Sequence, residues 1–595
     1  MSEYQWPNLA EMFFEQVANY SDKPFVWTKR DGIFEPLNWN DVSERVVHMA
    51  RGLKAMGVEP GDRVMLVAEN SPLWLIADFA IMSIGAIVVP AYTTNTESDH
   101  LHVLSDSGAI GAIVSSRKLA HPLLDAAINA PHVKFIATAD SMEKPDNASY
   151  KVMNIEALNE AGHESRENIR ELARQGKPDD TASIIYTSGT GGKPKGVMLT
   201  HRNQFHGCAG ASDALFELDI HEERFLSFLP LSHSYEHMAG HFFPVSIGAE
   251  IYYAESVEGL SINMAEMHPT IMTAVPRLYE ILYEKIMIGV RKQGGLKAFL
   301  FMQTIALGKK KYNDPNSLNF IERMFDSLLD KMVRQKVRDR FGGKLKALVS
   351  GGAPLNPDIG LFFTALGLRI LQGYGQTETS PVISVNRPSS MRVETVGPPL
   401  LNTQVKIADD GEILATGDLV MKGYWNNPEA TAEVIVDGWV HTGDIGEITE
   451  DGHLRITDRK KDLIVNSGGD NIAPQRLEGM LALEQEIAQA MVFGDKRPYI
   501  SALIVPDPAW LKDWAKENDK DGDLATLAED TDLHKALAPV VKRVNEQLSK
   551  IENIRRYTIA AEAFTIENEL MTPTMKIRRY RVLELYGAAL EGLYR

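Results

Sequence analysis

Between Tyr186 and Gly196 the chain reads Tyr-Thr-Ser-Gly-Thr-Gly-Gly-Lys-Pro-Lys-Gly, which packs hydroxyls, glycines and two lysines into one short loop. Glycines let backbone N–H groups come close to an anion, hydroxyls add donors, and Lys193 and Lys195 add positive charge. Such a loop suits a polyphosphate. It lacks the Gly-Lys-Ser/Thr ending of the commonest nucleotide loop, because Pro194 follows Lys193 and Gly196 follows Lys195. A flexible linker shares part of this composition, but here an apolar strand-like run at 183–186 leads in and an apolar exit at 197–201 leads out.

Further segments carry chemistry of their own. Residues 350–355, Ser-Gly-Gly-Ala-Pro-Leu, follow an apolar strand and can present backbone groups to a planar base. Residues 372–379, Gln-Gly-Tyr-Gly-Gln-Thr-Glu-Thr, offer an aromatic face, a tight glycine turn, a hydroxyl and a carboxylate. Residues 439–444 put the Asp444 carboxylate on a turn, and residues 572–576 place Lys576 beyond a proline-fixed turn. His233 and His237 bracket Ser-Tyr-Glu, with His241 a helical step further on. Three histidines can hold a metal, but no carboxylate or cysteine pattern completes a zinc set, so metal is the lesser reading. The single cysteine, Cys208, excludes an intrachain disulfide and sits among small residues of a predicted helix, where packing outweighs a nucleophilic role.

The elements that must position these groups alternate. Helical spacing over 39–56 ends at Gly57, a strand is predicted over 62–68 after a Pro-Gly turn, and 79–91 reads as a buried helix running into a strand. Residues 111–114 repeat the theme, which predicts an α/β architecture with largely parallel sheets. Residues 275–340 are helical and charged, with a break at 313–316. From about 395 the chain turns to short strands between Gly, Asp and Pro turns, a β-rich module, and residues 462–595 read as a small α+β domain. The boundaries expected are 1–458, a charged hinge at 459–461, and 462–595. A chain of 595 residues needs more than one core. Its net charge of −18 disfavours broad electrostatic attraction to nucleic acid or anionic lipid, and leaves room only for a local basic patch. The N-terminus lacks a signal-peptide pattern and no apolar run reaches spanning length, so a reduced cytoplasmic setting is expected.

Taken in order, these segments resemble the adenylate-forming superfamily: acyl-CoA synthetases, firefly luciferase and the adenylation domains of peptide synthetases. The resemblance covers nearly the whole chain. It implies a large N-terminal adenylation domain with a small mobile C-terminal domain, and joining of a carboxylate to the α-phosphorus of ATP with release of pyrophosphate, followed by transfer to a thiol. Both reactants are anionic, so the site must stabilise charge growing on phosphoryl oxygens. By resemblance, Thr187, Ser188, Gly189, Thr190, Lys193 and Lys195 hold the β- and γ-phosphates, and Glu378 with Thr187 binds Mg²⁺. Tyr374 stacks on adenine beside Gly352 and Ala353, with Gly375 and Thr377 in the same segment. Asp444 and Arg459 meet the ribose, and Lys576 reaches both the substrate carboxylate and the α-phosphate. His233 guides the carboxylate, and His237 falls where some fatty-acid enzymes carry a gating aromatic. Lys461 is the pivot about which the small domain turns, after which Gly468 and Gly469 help form a tunnel for the pantetheine of CoA. Two departures stand out: Gly191 replaces the usual Thr or Ser, and residues 414–417, Leu-Ala-Thr-Gly, lack a frequent Arg-Gly.

The segments at 274–280 and 375–382 and the long helical insertion to Arg340 resemble the long-chain fatty acyl-CoA synthetase branch. Fatty acid, ATP and CoA are the expected partners, with peripheral membrane contact open because the substrate partitions into lipid. An enzyme that activates another acid, or delivers to a carrier protein, is the alternative, and a catalytically silent binder is a third reading against which Glu378, Asp444 and Lys576 argue. The tunnel residues cannot be read from the sequence.

Overall fold

Strands of four residues that are buried along their whole length, such as Ile87–Pro90 and Gly111–Val114, belong in parallel sheet covered on both faces. In the computed structural model, which describes residues 5–187, 193–257, 259–460, 463–468, 470–520, 523–572 and 576–595, they lie in the middle of an eight-stranded sheet. Its centre is parallel, and towards one side it turns antiparallel, through Thr181–Thr187 and Lys195–Thr200 to the short edge strand Gly423–Tyr424. A second eight-stranded sheet runs from Ser384–Val385 through Ile370–Tyr374, Ala347–Ser350, Ile271–Ala274 and Arg224–Ser227 to Ile33–Asn38. It too is parallel at its centre.

The two sheets share one core. Val64 and Leu66 of the first and Phe225 and Ile251 of the second belong to a single buried cluster, with Leu9–Tyr20, Trp39–Ala55, Pro72–Ser83 and His201–Leu215 between them. Pro72–Ser83 is apolar almost all round because it is covered all round, as the 79–91 run predicted. The outer face of the second sheet is covered by the helices of 276–340 and by Pro357–Ala365. The β-rich module after 395 is an antiparallel sheet of Gln404–Ile407, Glu412–Thr416, Ile435–Val436, Trp439–Ile448 and Leu454–Arg459. Beyond it a three-stranded sheet, Ile487–Phe493, Ile500–Pro506 and Ile554–Ile559, is packed with helices around separate cores. No helix among the described residues is long and apolar enough to cross a membrane.

The apolar exit belongs to the second arm of a hairpin, Lys195–Thr200, so Thr187 pairs directly with Lys195 across the neck of the loop. One expectation is corrected. Asp444 does not sit on a turn but inside Trp439–Ile448, beside Gly443 at φ +69° and a bulge at Ile445/Gly446.

Candidate active site

The hairpin neck sets the first part of the site. Thr187 and Lys195, paired in register, both line a cavity of about 1830 Å³. Both ends of the loop are fastened from outside: the Tyr186 hydroxyl donates to Asp106 (2.6 Å) at its entry, and His102 Nε2–H donates to the Pro194 carbonyl (2.8 Å) at its exit. Lys195 holds its ammonium 5.0 Å from the Tyr424 ring, and the Tyr424 hydroxyl donates to Glu378 Oε1 (2.8 Å). One chain of contacts thus ties a lysine, an aromatic ring and a carboxylate at the cavity wall. Lys193 is exposed and does not contribute to that wall. Ser188, Gly189, Thr190 and Gly191 lie outside the described residues.

The second part is built at the ends of two parallel strands. Ala347–Ser350 ends in Gly351, Gly352 and Ala353, and Gly352 takes φ +81°, a conformation an L side chain rarely adopts. Ile370–Tyr374 ends at Gly375, where a Cβ would come within 1.9 Å of the Pro381 carbonyl oxygen. That contact excludes any other residue. The Tyr374 hydroxyl donates to Asp444 Oδ2 (2.6 Å) and Arg459 Nε donates to Asp444 Oδ1 (2.9 Å). Asp444 and Arg459 are direct cross-strand partners, so the sheet register itself aligns this pair. Burial and the neighbouring Asp444 push the Tyr374 phenol well above its ordinary range, so it stays a donor. The carboxylate remains an acceptor with lone pairs to spare, because each oxygen carries two.

The third part brings His233, from the middle of the chain, together with Lys576, from near its C-terminus. The His233 ring accepts at Nδ1 from the Tyr235 backbone N–H (3.2 Å), which leaves the proton on Nε2. Burial, then the charge of Lys576, lowers the His233 imidazole to about 4, so it is neutral at pH 7. Ser234 and Thr377 hydroxyls meet at 2.9 Å, and Tyr235 donates to the Val349 carbonyl (2.9 Å), fixing this segment to both strand ends. Lys576 closes its own loop: the Thr572 N–H donates to the Lys576 carbonyl (2.8 Å) and the Lys576 N–H to Thr572 Oγ1 (3.0 Å). Lys576 lines the cavity, and although its side chain keeps solvent-accessible surface, protein surrounds the ammonium. That desolvation, followed by the repulsion of Arg459 and opposed by Asp444, lowers it to about 8.

The cavity has an apolar arm that the sequence did not reveal. Gly207, Ala211, Ala214 and Leu215 line it from one face of His201–Leu215, opposite Met238 and Phe243. Their spacing of four, three and one is one helical stripe, on which Gly207 lets Met238 pack closely and Ala211 and Ala214 are small. This was the legible signal. Cys208, on the same helix, packs into the core, and burial pushes its thiol up to about 12.

His237 does not face the arm, which is lined at that point by Met238 and Ala239. Its Nε2 and that of His241 both meet Asp78 Oδ2, at 3.2 and 3.0 Å, and all three side chains are fully buried. The gating expectation for His237 is therefore corrected. The expectation that no carboxylate joins these histidines is corrected too, since Asp78 arrives from 159 residues away, on the buried helix Pro72–Ser83. Gly468 is exposed, donates its N–H to Asn466 Oδ1 (2.8 Å) and is not part of the cavity wall. Lys461 and Gly469 lie outside the described residues, while Lys460 just before them is held by Asp410 (2.6 Å) and Glu412 (3.0 Å).

The chain is similar to known proteins in sequence and in fold. Residues 13–425 match the family described as AMP-binding enzyme, and residues 461–595 match the AMP-binding enzyme C-terminal domain. The chain is 34% identical over 597 residues to the long-chain-fatty-acid–CoA ligase FadD15 of Mycobacterium bovis, covering 99% of this chain and 97% of that protein. It is 32% identical to the peroxisomal long chain acyl-CoA synthetase 6 of Arabidopsis thaliana, covering 99% and 86%. Among solved structures, the adenylation domain of a carboxylate reductase from Mycobacterium chelonae superposes with a TM-score of 0.79 at 20% identity, over 100% of this chain and 92% of that one.

Proposed function

Because the chain belongs to the AMP-binding enzyme family, we propose that it is a long-chain fatty acid–CoA ligase, which converts a fatty acid and ATP to acyl-AMP and pyrophosphate and then passes the acyl group to CoA. The observation that carries the choice of acid is the apolar arm that leaves the cavity between His201–Leu215 and Met238/Phe243. An alkyl chain gains about 0.8 kcal/mol per buried CH₂, so an apolar arm favours long acids over short ones.

Each step draws on a part of the cavity. A carboxylate at the mouth of the arm lies near neutral His233, whose Nε2–H donates to it without adding charge. Lys576 supplies the cation that lets that carboxylate approach the α-phosphate and stabilises the charge growing there. The carboxylate oxygen bonds to the α-phosphorus as the bridge to the β-phosphate breaks, and Thr187 and Lys195 hold the departing pyrophosphate. Tyr374, Gly352 and Ala353 border the adenine and Asp444 accepts from the ribose hydroxyls. In the second step the CoA sulfur bonds to the acyl carbon and AMP leaves. Mg²⁺ fits the donor set, since Glu378 and Thr187 both line the cavity and offer the oxygen ligands a hard cation takes; when bound it neutralises phosphate charge.

The test is pyrophosphate release with and without CoA across saturated acids of increasing length. The reading expects turnover that depends on CoA and rises with chain length to a limit. Acyl-AMP accumulating with no use of CoA points instead to a carrier-protein acceptor, and preference for a short or aromatic acid contradicts the long-chain assignment.

A further inference from the structure

The helices over 276–340 differ from the rest of the molecule in charge and in surface. They hold fourteen lysines and arginines against seven aspartates and glutamates, within a chain whose net charge is −18. Gly295–Asn313 packs inward through Phe301 and Ile305, onto a core shared with Pro357–Ala365. Phe320–Leu329 packs on Gly295–Asn313 through Leu307, Leu318 and Leu329, with Lys310 paired to Glu322 at 2.7 Å.

The apolar arc of Phe320–Leu329 is wider than that contact. Phe320, Ile321, Met324 and Leu328 are 77%, 78%, 63% and 49% exposed, and their spacing puts them on one stripe. The adjacent helix adds Leu296, Phe299 and Met302, also exposed, at steps of three. Single apolar residues are ordinary on a surface, but stripes on two neighbouring helices mark a contact site. Lys292, Lys297, Lys331 and Lys336 are exposed on the same segment, and among the described residues none of the four is in an ion pair.

We propose that the helical hairpin over 295–332, with Lys292 and Lys336 flanking it, is a docking surface for an anionic lipid bilayer, with its apolar stripes among the acyl chains and these two lysines, together with Lys297 and Lys331, at the headgroup phosphates. The charge argues for this occupant. A basic segment on an acidic protein is complementary to an anionic membrane, and apolar stripes flanked by lysine compose interfacial helices, whereas the cores of protein–protein interfaces are depleted in lysine. The hairpin is also joined to the active site: Pro276–Gln293 begins at the cavity, where Glu280 lines it, and ends at the hairpin. An acid dissolved in the bilayer is therefore held near the cavity. That purpose rests on the fatty-acid reading; the binding itself does not.

The experiment is flotation of the full-length chain with vesicles of phosphatidylcholine alone or mixed with phosphatidylglycerol. The wild type is expected to float with the anionic vesicles and to lose that binding in high salt, where the Debye length falls to about 3 Å. The triple variant Phe320→Gln/Ile321→Gln/Met324→Gln should bind at least ~10-fold more weakly, as loss of an apolar face requires. Its melting temperature and its turnover of a monomeric acid without vesicles should be unchanged. Replacing Lys292, Lys297, Lys331 and Lys336 by glutamine should remove the preference for phosphatidylglycerol. A wild type that floats with neither vesicle, or a triple variant that floats like the wild type, overturns the proposal. So does a concentration-dependent dimer that the triple variant abolishes without any vesicle binding, which would make a second copy the occupant. Vesicle binding without acyl-CoA formation would leave this surface standing and contradict only the fatty-acid reading.

Discussion

At the scale of single residues the proposed reaction turns on the charge of Lys576. Its ammonium is desolvated by the cavity and repelled by Arg459, and Asp444 only partly offsets this, so the group titrates near 8 in the free protein. The sign follows directly. The fold disfavours the cation, and the charged form needed for adenylation is present below about 8 and lost as pH rises through it. Pyrophosphate release under kcat/KM conditions should therefore fall above pH 8, and the free enzyme's profile should show that limb. Lys576→Arg should move the limb out of range, because a guanidinium does not deprotonate there. A profile flat to pH 10 in the wild type would contradict the assignment. His233 adds no second limb near neutrality, since it is already uncharged.

At the scale of elements, pattern and position were legible to different degrees. The glycine-rich segments were readable because their residue types are forced: Gly375 has a carbonyl where a side chain would be, and Gly352 has a positive φ. What the sequence hid were meetings across it. The hairpin pairing of Thr187 with Lys195 and the cross-strand pairing of Asp444 with Arg459 come from register, which short strands do not announce. Asp78 was hidden more deeply, as one carboxylate in an apolar helix, and only packing shows that it answers His237 and His241. Burial pushes that carboxyl up, but the charge and hydrogen bonds of the two histidines outweigh it and hold the carboxyl below its ordinary range. Its contribution to stability is thus present above the unfolded-state value and lost as pH falls through the folded one. Asp78→Ala strands two buried imidazoles, which should cost roughly 3–5 kcal/mol by denaturant unfolding. Gly375→Ala drives a methyl into the Pro381 carbonyl and should cost about 1–3 kcal/mol while impairing nucleotide binding, read by melting and by the KM for ATP.

At the scale of the whole molecule, one cavity is built by both domains, and the small domain contributes Lys576 from its far end. Gly468 is exposed and is not among the residues that line that cavity, so on the proposed function this arrangement serves the first half-reaction rather than the second. If the small domain must turn about Lys461 before CoA can react, a hinge locked in this arrangement separates the two steps. Lys461→Pro, which fixes φ at that residue and restricts Lys460 before it, should leave pyrophosphate release within a few-fold and cut thioester formation by ~100-fold or more. The complementary variant tests the central claim most directly. Lys576→Ala should lower pyrophosphate release from palmitate and ATP by roughly 100- to 1000-fold, the usual effect of removing one preorganised group. The same protein, given palmitoyl-AMP and CoA, should form palmitoyl-CoA at close to the wild-type rate. Equal loss in both half-reactions, or adenylation left intact, would contradict the claim that Lys576 serves the reacting carboxylate in this cavity.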